Sequence, residues 1–310
     1  MKGLDVFVLV VLFITLGLGV YILIQSIPGK TIQFESSGSS LGGNSSTVYV
    51  NQGQFYPNMR YPDRNITYSI DSSCDGSKRN VILSALGILE NKTVLSFNEI
   101  SSNGEIEYLC SNISPTSNDK DHFIAGEGGP VDVYISGKYY VITSGKVSLF
   151  RSETCNSPQI AIHETLHALG FDHNNNTRSI MYPVTSCDEV IDPYITNEIN
   201  DLYSVDSAAD LVLVNANASI SGKYLDFVVQ VSNEGLKDAT DVTLHLYSGN
   251  EEIKNISLGN IPLGSKKKIN AQDVSVPKDT TSIKMIVEIG AGQSELNLNN
   301  NQLELNIKQS

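Results

Sequence analysis

The amino-acid sequence predicts an α+β domain, a mixed sheet followed by two helices, then a separate all-β sandwich. One apolar helix is expected ahead of both. Three observations carry this reading. Between Tyr61 and Phe150 the apolar residues mostly alternate with period two, the repeat of half-buried strands. From Ser157 to Tyr203 the repeat changes to that of helices. From Ala209 onward no helical period appears, and short β-branched runs recur between turn residues, as in a β-sandwich. A length of 310 residues suits two such domains on a soft prior of one per ~150.

Taken in order, Val6 to Ile24 is an unbroken run of apolar residues, Thr and Gly. As a helix at ~1.5 Å per residue it reaches close to the ~30 Å of a bilayer's hydrocarbon core. The competing reading is a cleaved signal peptide, whose apolar region is normally about 7–15 residues long and ends in small residues. Here Ile24-Gln25-Ser26-Ile27-Pro28 follows, so residues 1–27 are expected to be an uncleaved transmembrane signal anchor. Residues 28–58 are expected to be a flexible linker, because the Ser/Gly/Asn-rich stretch from Glu35 to Ser46 cannot bury enough apolar area to order itself.

Compartment follows from composition. The formal net charge of -13 argues against nucleic acid or an anionic membrane surface as partner. Cys74, Cys110, Cys155 and Cys187 fall in no Cys-x-x-Cys spacing. They point to disulfides in an oxidising compartment, with three pairings open. Sequons at Asn44, Asn65, Asn91, Asn112, Asn175, Asn217 and Asn255 fit an exported glycoprotein. The expectation is a single-pass protein of the cell membrane with both domains on the extracytoplasmic side.

The first domain is expected over residues 59–207. Residues 61–70 read as a strand, and Ser77 to Asn91 as a helix burying Val81, Leu83, Leu86 and Leu89. Leu95–Ile100 and Glu105–Cys110 read as strands with Asn103-Gly104 as the turn between them. His122–Pro130 starts like a strand and runs into a glycine-rich bend. Val131–Ser136 and Tyr139–Phe150 then look like a hairpin turning at Gly137-Lys138. Ser157-Pro158 opens the next helix, with serine as cap and proline in the first helical position. Ile162, Leu166 and Leu169 form its buried stripe. A last helix, Thr196 to Tyr203, is capped by Thr196. The β-sandwich is expected over residues 208–310, from strands at 210–214, 225–231, 242–247, 252–258, 282–288 and 302–307.

The chemistry is concentrated in His163-Glu-Thr-Leu-His-Ala-Leu-Gly-Phe-Asp-His173. One helical turn separates His163 from His167, so both imidazoles can face one ion. Glu164 is offset around the helix and can reach a water on that ion. Gly170 can stop the helix in the left-handed region and let the chain bring His173 back. Three neutral histidines leave a fourth tetrahedral position open, the arrangement of a catalytic zinc site. A lone His-Glu-x-x-His also arises by chance on amphipathic helices. Here the glycine and third histidine at fixed offsets, taking three of the chain's five histidines, set that reading aside.

With Met181 downstream, this pattern resembles the metzincin clan of zinc endopeptidases, whose signature includes a later methionine turn. Met181-Tyr182-Pro183, eight residues past the third histidine, resembles the matrixin branch (matrix metalloproteinase-like, family M10) in particular. The resemblance covers about residues 60–205. It implies a metzincin-type mixed twisted sheet with an active-site helix and a terminal helix. It also implies one catalytic Zn2+ on His163, His167 and His173, with Glu164 as general base and Met181 as a packing floor beneath the metal. Protein or peptide substrates would bind against an edge strand at about Phe123 to Gly126, with Ile124, Ala125, Pro183 and Val184 along the cleft. No calcium site is assigned.

Some residues depart from the matrixin pattern. Asn174 follows the third histidine where matrixins usually carry serine, and Thr185 stands where a pocket wall usually has tyrosine. Pro183 replaces the tyrosine that serves as fifth ligand in astacins and serralysins. No cysteine precedes the globular region, so a cysteine switch is not expected. Because the entry to the active-site helix and the exit from the methionine turn must converge around the metal, the pairing expected is Cys155–Cys187 with Cys74–Cys110. The C-terminal stretch resembles CARDB-type immunoglobulin-like modules through Val231-Ser-Asn-Glu-Gly235 and the Val242–Tyr247 strand. That implies a spacer or a module binding surface proteins. The function expected is a membrane-anchored extracellular zinc metalloendopeptidase; the alternative is a non-catalytic surface adhesin with a vestigial zinc site.

Overall fold

The computed structural model describes residues 53–115, 124–184 and 186–307, together with two strands, β1 (Leu23–Ile27) and β2 (Thr31–Gln33). The chain divides into two compact units with the boundary between Ser207 and Ala208, and β1 belongs with the C-terminal one. Most of the expected transmembrane helix lies outside the described residues. Its last two residues, Leu23 and Ile24, do not continue a helix but stand in β1, paired with Asn270 and Ile269. Among the described residues no helix is long and apolar enough to cross a membrane.

The N-terminal unit is built on one seven-stranded mixed sheet. After β2 come β3 (Met59–Arg60), β4 (Asn65–Ile70), helix α1 (Gly76–Lys92), β5 (Ser96–Glu99), β6 (Ile106–Cys110), β7 (Gly126–Ser136) and β8 (Tyr139–Leu149). The spatial order is β2-β7-β8-β6-β4-β5, with β3 added beside β8. Every pairing is parallel except β2–β7 and β7–β8, so β7 alone runs against the other strands.

Three local expectations are corrected. The linker is partly ordered: β2 pairs with Asp132–Tyr134, and Phe55 N–H donates to Gly170 carbonyl at 2.9 Å. The polar average over residues 28–58 hid Thr31-Ile32 and the aromatic pair Phe55-Tyr56; residues 34–52 lie outside the described residues. Next, β5 and β6 are not hairpin partners, since each pairs in parallel with β4 from opposite sides. Because β5 ends and β6 begins level with Tyr68, six residues suffice to cross β4. Glu105 fastens that crossing by accepting from Thr67 N–H and Oγ1–H at 2.7 and 2.8 Å. Alternation identifies strands but not their partners. Finally, α1 buries Ile82, Ala85, Leu86 and Leu89 while Leu83 is exposed, because the i, i+3, i+4, i+7 stripe starts one residue later than expected.

Helices α2 (Gln159–Ala168) and α3 (Pro193–Leu202) complete the unit. Helix α3 starts three residues before Thr196, with Asp192 in the cap position and proline opening it. Arg60 is buried and satisfied: it donates to the carbonyls of Leu202, Val205, Pro62 and Tyr61 and lies 4.3 Å from the Tyr203 ring centroid. This clamps the end of α3 to the sheet.

The C-terminal unit is a β-sandwich. Its strands are β9 (Leu211–Ser221), β10 (Tyr224–Asn233), β11 (Ala239–Ser248), β12 (Glu251–Ile261), β13 (Lys266–Ser275), β14 (Ser282–Glu288) and β15 (Gln302–Asn306). Two four-stranded sheets, β1-β13-β10-β9 and β12-β11-β14-β15, enclose one core that includes Leu225, Val229, Leu244, Leu246, Ile283 and Met285. Strand β13 is absent from the sequence reading. Its Lys266-Lys-Lys268 start looks like solvated surface, yet Ile269, Ala271 and Val274 point inward. The Asn233-Glu-Gly turn is held by the buried Asn233 side chain, which donates to Lys237 and Ile261 carbonyls and accepts from Asp210 and Gly235 N–H.

Candidate metal centre

Helix α2 carries two of the three histidines and is buried all round, not on one stripe alone. Its start differs from the expected Ser157 cap: Pro158 occupies the cap position and makes no side-chain cap. Glu153 supplies the acceptor instead. Its Oε2 takes the Ile160 N–H at 3.1 Å, while Oε1 takes those of Thr154 and Cys155. The opposite end stops at Gly170, with φ +96, where a side chain would also strike Met59. Tyr108 Oη and Thr165 Oγ1 share a hydrogen bond of 2.9 Å, which pins the helix to the sheet.

The stop at Gly170 brings His173 back to the helix. The Nε2 atoms of His163, His167 and His173 form a triangle with edges of 3.0, 3.1 and 3.2 Å. His163 Nδ1–H donates to Ile180 carbonyl at 2.6 Å, and His167 Nδ1–H to Phe171 carbonyl at 2.7 Å. These bonds fix the tautomer and leave the Nε2 lone pairs converging on one point. Lone pairs this close repel unless a cation lies among them. Tetrahedral zinc with Zn–N of about 2.0–2.1 Å asks for N···N edges of about 3.3 Å, so the cradle fits zinc. Burial pushes His163 down to about 4 and His167 well below the usual imidazole range; His173, with an exposed outer edge, is lowered less. All three are therefore neutral ligands at neutral pH.

Glu164 is buried between α2 and the start of β7. A Cβ at Gly126 would lie 2.7 Å from Glu164 Cγ, and one at Gly128 only 2.0 Å from Glu164 carbonyl oxygen. The glycine-rich run expected to bend is thus part of a strand laid directly on the helix. Burial, then the charge of Glu127, pushes the Glu164 carboxyl up to about 8, and the Gly128 N–H pulls it down. A cation held by the histidines would draw it down further.

The remaining expected residues are placed unevenly. Met181 is buried, its backbone held by Ser179 Oγ and by Asn174 N–H, so the turn is tied to the loop carrying His173. Ile124 and Ala125 precede β7 instead of forming an edge strand, and Phe123 lies outside the described residues. The Ala125 carbonyl is already taken by Phe150 and Arg151 N–H. Beside the histidines, among the described residues, Gly126–Val131 of β7 has no strand partner on its outer edge, because β2 covers only Asp132–Tyr134. Pro183 and Val184 are exposed, and Thr185 lies outside the described residues. The cysteines pair as Cys74–Cys110 and Cys155–Cys187. Sequence reasoning missed Glu153, Gly126 and Gly128; the alternating glycines before Pro130 were the one signal for the last two.

A His/His/His cradle with two of its rings buried, beside a buried carboxylate and tied to a turn at Met181, is the architecture of a metzincin-type zinc peptidase domain. The family comparison is consistent with that class: residues 54–181 match the model of the astacin peptidase family, a metzincin family, and residues 208–305 match CARDB. The matrixin expectation is not supported. It rested on Tyr182-Pro183, beyond the matched stretch and at the start of an exposed loop that the core does not constrain. No curated protein matches the chain. Among solved structures, a CARDB domain from Pyrococcus furiosus, in complex with di-metal ions, is 18% identical. It covers 33% of this chain and 90% of that one, with a TM-score of 0.28. A domain assigned to a cell surface protein of Methanosarcina acetivorans is 16% identical and covers 33% and 95%, with a TM-score of 0.29.

Proposed function

We propose that this chain is a zinc-dependent metalloendopeptidase acting on proteins or peptides, held at the outer face of a cell membrane. The observation that carries the reading is the histidine triangle, with the tautomers of His163 and His167 fixed, and Glu164 buried beside it. His163, His167 and His173 would hold the ion and Met181 would pack beneath it. Zinc bound there supplies a Lewis acid and a water of pKa near ~7. Glu164 takes a proton from the attacking water and passes it to the leaving amide nitrogen. Gly126 and Gly128 keep the strand close enough to shut bulk water away from that carboxylate. The unpartnered edge of β7 offers backbone groups on which an extended substrate can lie.

Two disulfides support an oxidising compartment, and the apolar run beginning at Val6 supports an anchor. The β-sandwich would act as spacer or bind surface proteins. The test is hydrolysis of an unstructured protein such as casein by the purified chain. Activity should vanish with a chelator and return with zinc; intact casein under zinc-loaded conditions would favour the alternative of an adhesin with a vestigial site. Alkaline extraction of membranes tests the anchor, since release of the chain into the soluble fraction would refute it.

A further inference from the structure

An oxygen-rich cluster of side chains sits at one end of the β-sandwich. Asp210 precedes β9, Glu295 lies in the loop between β14 and β15, and Asn300 and Asn301 close that loop. Asn300 Nδ2–H donates to Asp210 Oδ1 at 2.9 Å, and Asn301 Nδ2–H donates to Glu295 Oε1 at 2.8 Å and more weakly to Val287 carbonyl at 3.4 Å. The Leu211 N–H donates to Glu295 Oε2 at 2.9 Å. These bonds gather four oxygen-bearing side chains from two distant stretches of sequence.

The oxygens of the two amides are what the network leaves over. Asn301 is 6% exposed, and its Oδ1 is buried without a partner, as is Asn300 Oδ1. The O and N of one amide lie only ~2.2 Å apart, so each orphan oxygen lies within ~5 Å of the carboxylate oxygen that its own nitrogen grips, a separation that two ligands of one calcium can span. A buried acceptor without a donor costs free energy comparable to a lost hydrogen bond. The carboxylates are also unbalanced: among the described residues neither is in an ion pair. Burial raises the proton affinity of Glu295, the hydrogen bonds from Leu211 and Asn301 offset part of this, and the nearby Asp210 charge adds a smaller rise. One cation in the cluster would answer both deficits.

We propose that Asp210, Glu295, Asn300 and Asn301 form a calcium site that fastens the 289–301 loop to the first strand of the sandwich. Carboxylates and amide carbonyls are the ligands of a hard cation, and a set without nitrogen or sulfur does not select zinc. Magnesium keeps its waters and demands near-octahedral order, which loop-borne ligands supply poorly. With only two carboxylates the site belongs with weak extracellular modules, at Kd of about 10⁻⁴–10⁻³ M.

Calorimetric titration of the zinc-saturated full chain with calcium tests this. The expected result is one calcium per chain in that range, with a higher unfolding temperature in calcium than in equal magnesium. Glu295→Gln and Asp210→Asn keep a hydrogen-bond acceptor but remove charge, and each should weaken calcium about tenfold or more. Should either variant fail to fold, Asn300→Ala, at a half-buried position, provides the same comparison. No saturable binding up to about 10 mM calcium, or binding unchanged in the folded variants, overturns the proposal.

Discussion

On the helix side of the candidate cleft, His163, Glu164 and His167 act through side chains placed by their spacing along α2; on the strand side, Gly126 and Gly128 act by having none. The helix side is local, since eleven consecutive residues carry every group, and a three- or four-residue offset dictates which way each points. The strand side is non-local. Its glycines gain meaning only because β7 is pressed against a helix about thirty residues further on. Reactive groups can be found from type and spacing, whereas the surface that shields them is written as missing atoms.

The sharpest break of that comparison is on the helix side. Glu164→Gln should keep the fold and the bound zinc, since the histidine bonds to Ile180 and Phe171 are untouched. Turnover should fall by roughly 10²–10⁴, the usual worth of a general base. Equal turnover of casein by this variant would remove Glu164 from the chemistry. His167→Ala should instead lose the metal itself, read by metal analysis.

Next in size is the Cys155–Cys187 bridge, which joins the approach to α2 to the loop beyond Met181 across 32 residues. Opening it by the double substitution to serine should cost about 2–4 kcal/mol of stability. The loss should also loosen zinc, because His163 is oriented by Ile180, which lies within the bridged segment. An unchanged melting temperature and unchanged zinc affinity would show that the two walls do not need the staple.

Gly128→Ala probes the strand side. Its new Cβ would meet the Glu164 backbone at 2.0 Å, and backbone cannot swing aside as a flexible side chain can. Overpacking of that kind costs about 1–3 kcal/mol, and here it would also displace the Glu164 carboxylate. Gly129→Ala is the internal control, since a Cβ there meets nothing within 4 Å. If the two variants behave alike, β7 does not shape the site.

What could be read beforehand follows the same division. The convergence of the three histidines, the helix stop at Gly170 and most strands were legible, because each depends on residues a few positions apart. The β5–β4–β6 parallel arrangement was not, since alternation says nothing of partners. Strand β13 was hidden by three consecutive lysines, of which Lys267 shares the inward phase of Ile269 and ends on the Leu258 carbonyl. The matrixin likeness failed for a related reason: it relied on residues past Met181, where the chain is exposed and packing enforces little. The inner walls of a site and its outer rim carry different amounts of information.

The smallest effect belongs to Glu153, where the helix side itself depends on something its own spacing does not show. Both oxygens are engaged at once, Oε1 by Thr154 and Cys155 and Oε2 by Ile160. Glu153→Ala should therefore cost about 1 kcal/mol, the usual worth of an N-cap. Glu153→Gln keeps one acceptor oxygen and should fall between alanine and the parent. Part of the loss should fade at high salt, because a negative charge at a helix N-terminus also interacts with the helix dipole. Thermal unfolding of the three proteins at low and high salt measures both components. If alanine and glutamine melt with the parent, then Pro158 alone suffices to start α2 and the Glu153 contacts are incidental.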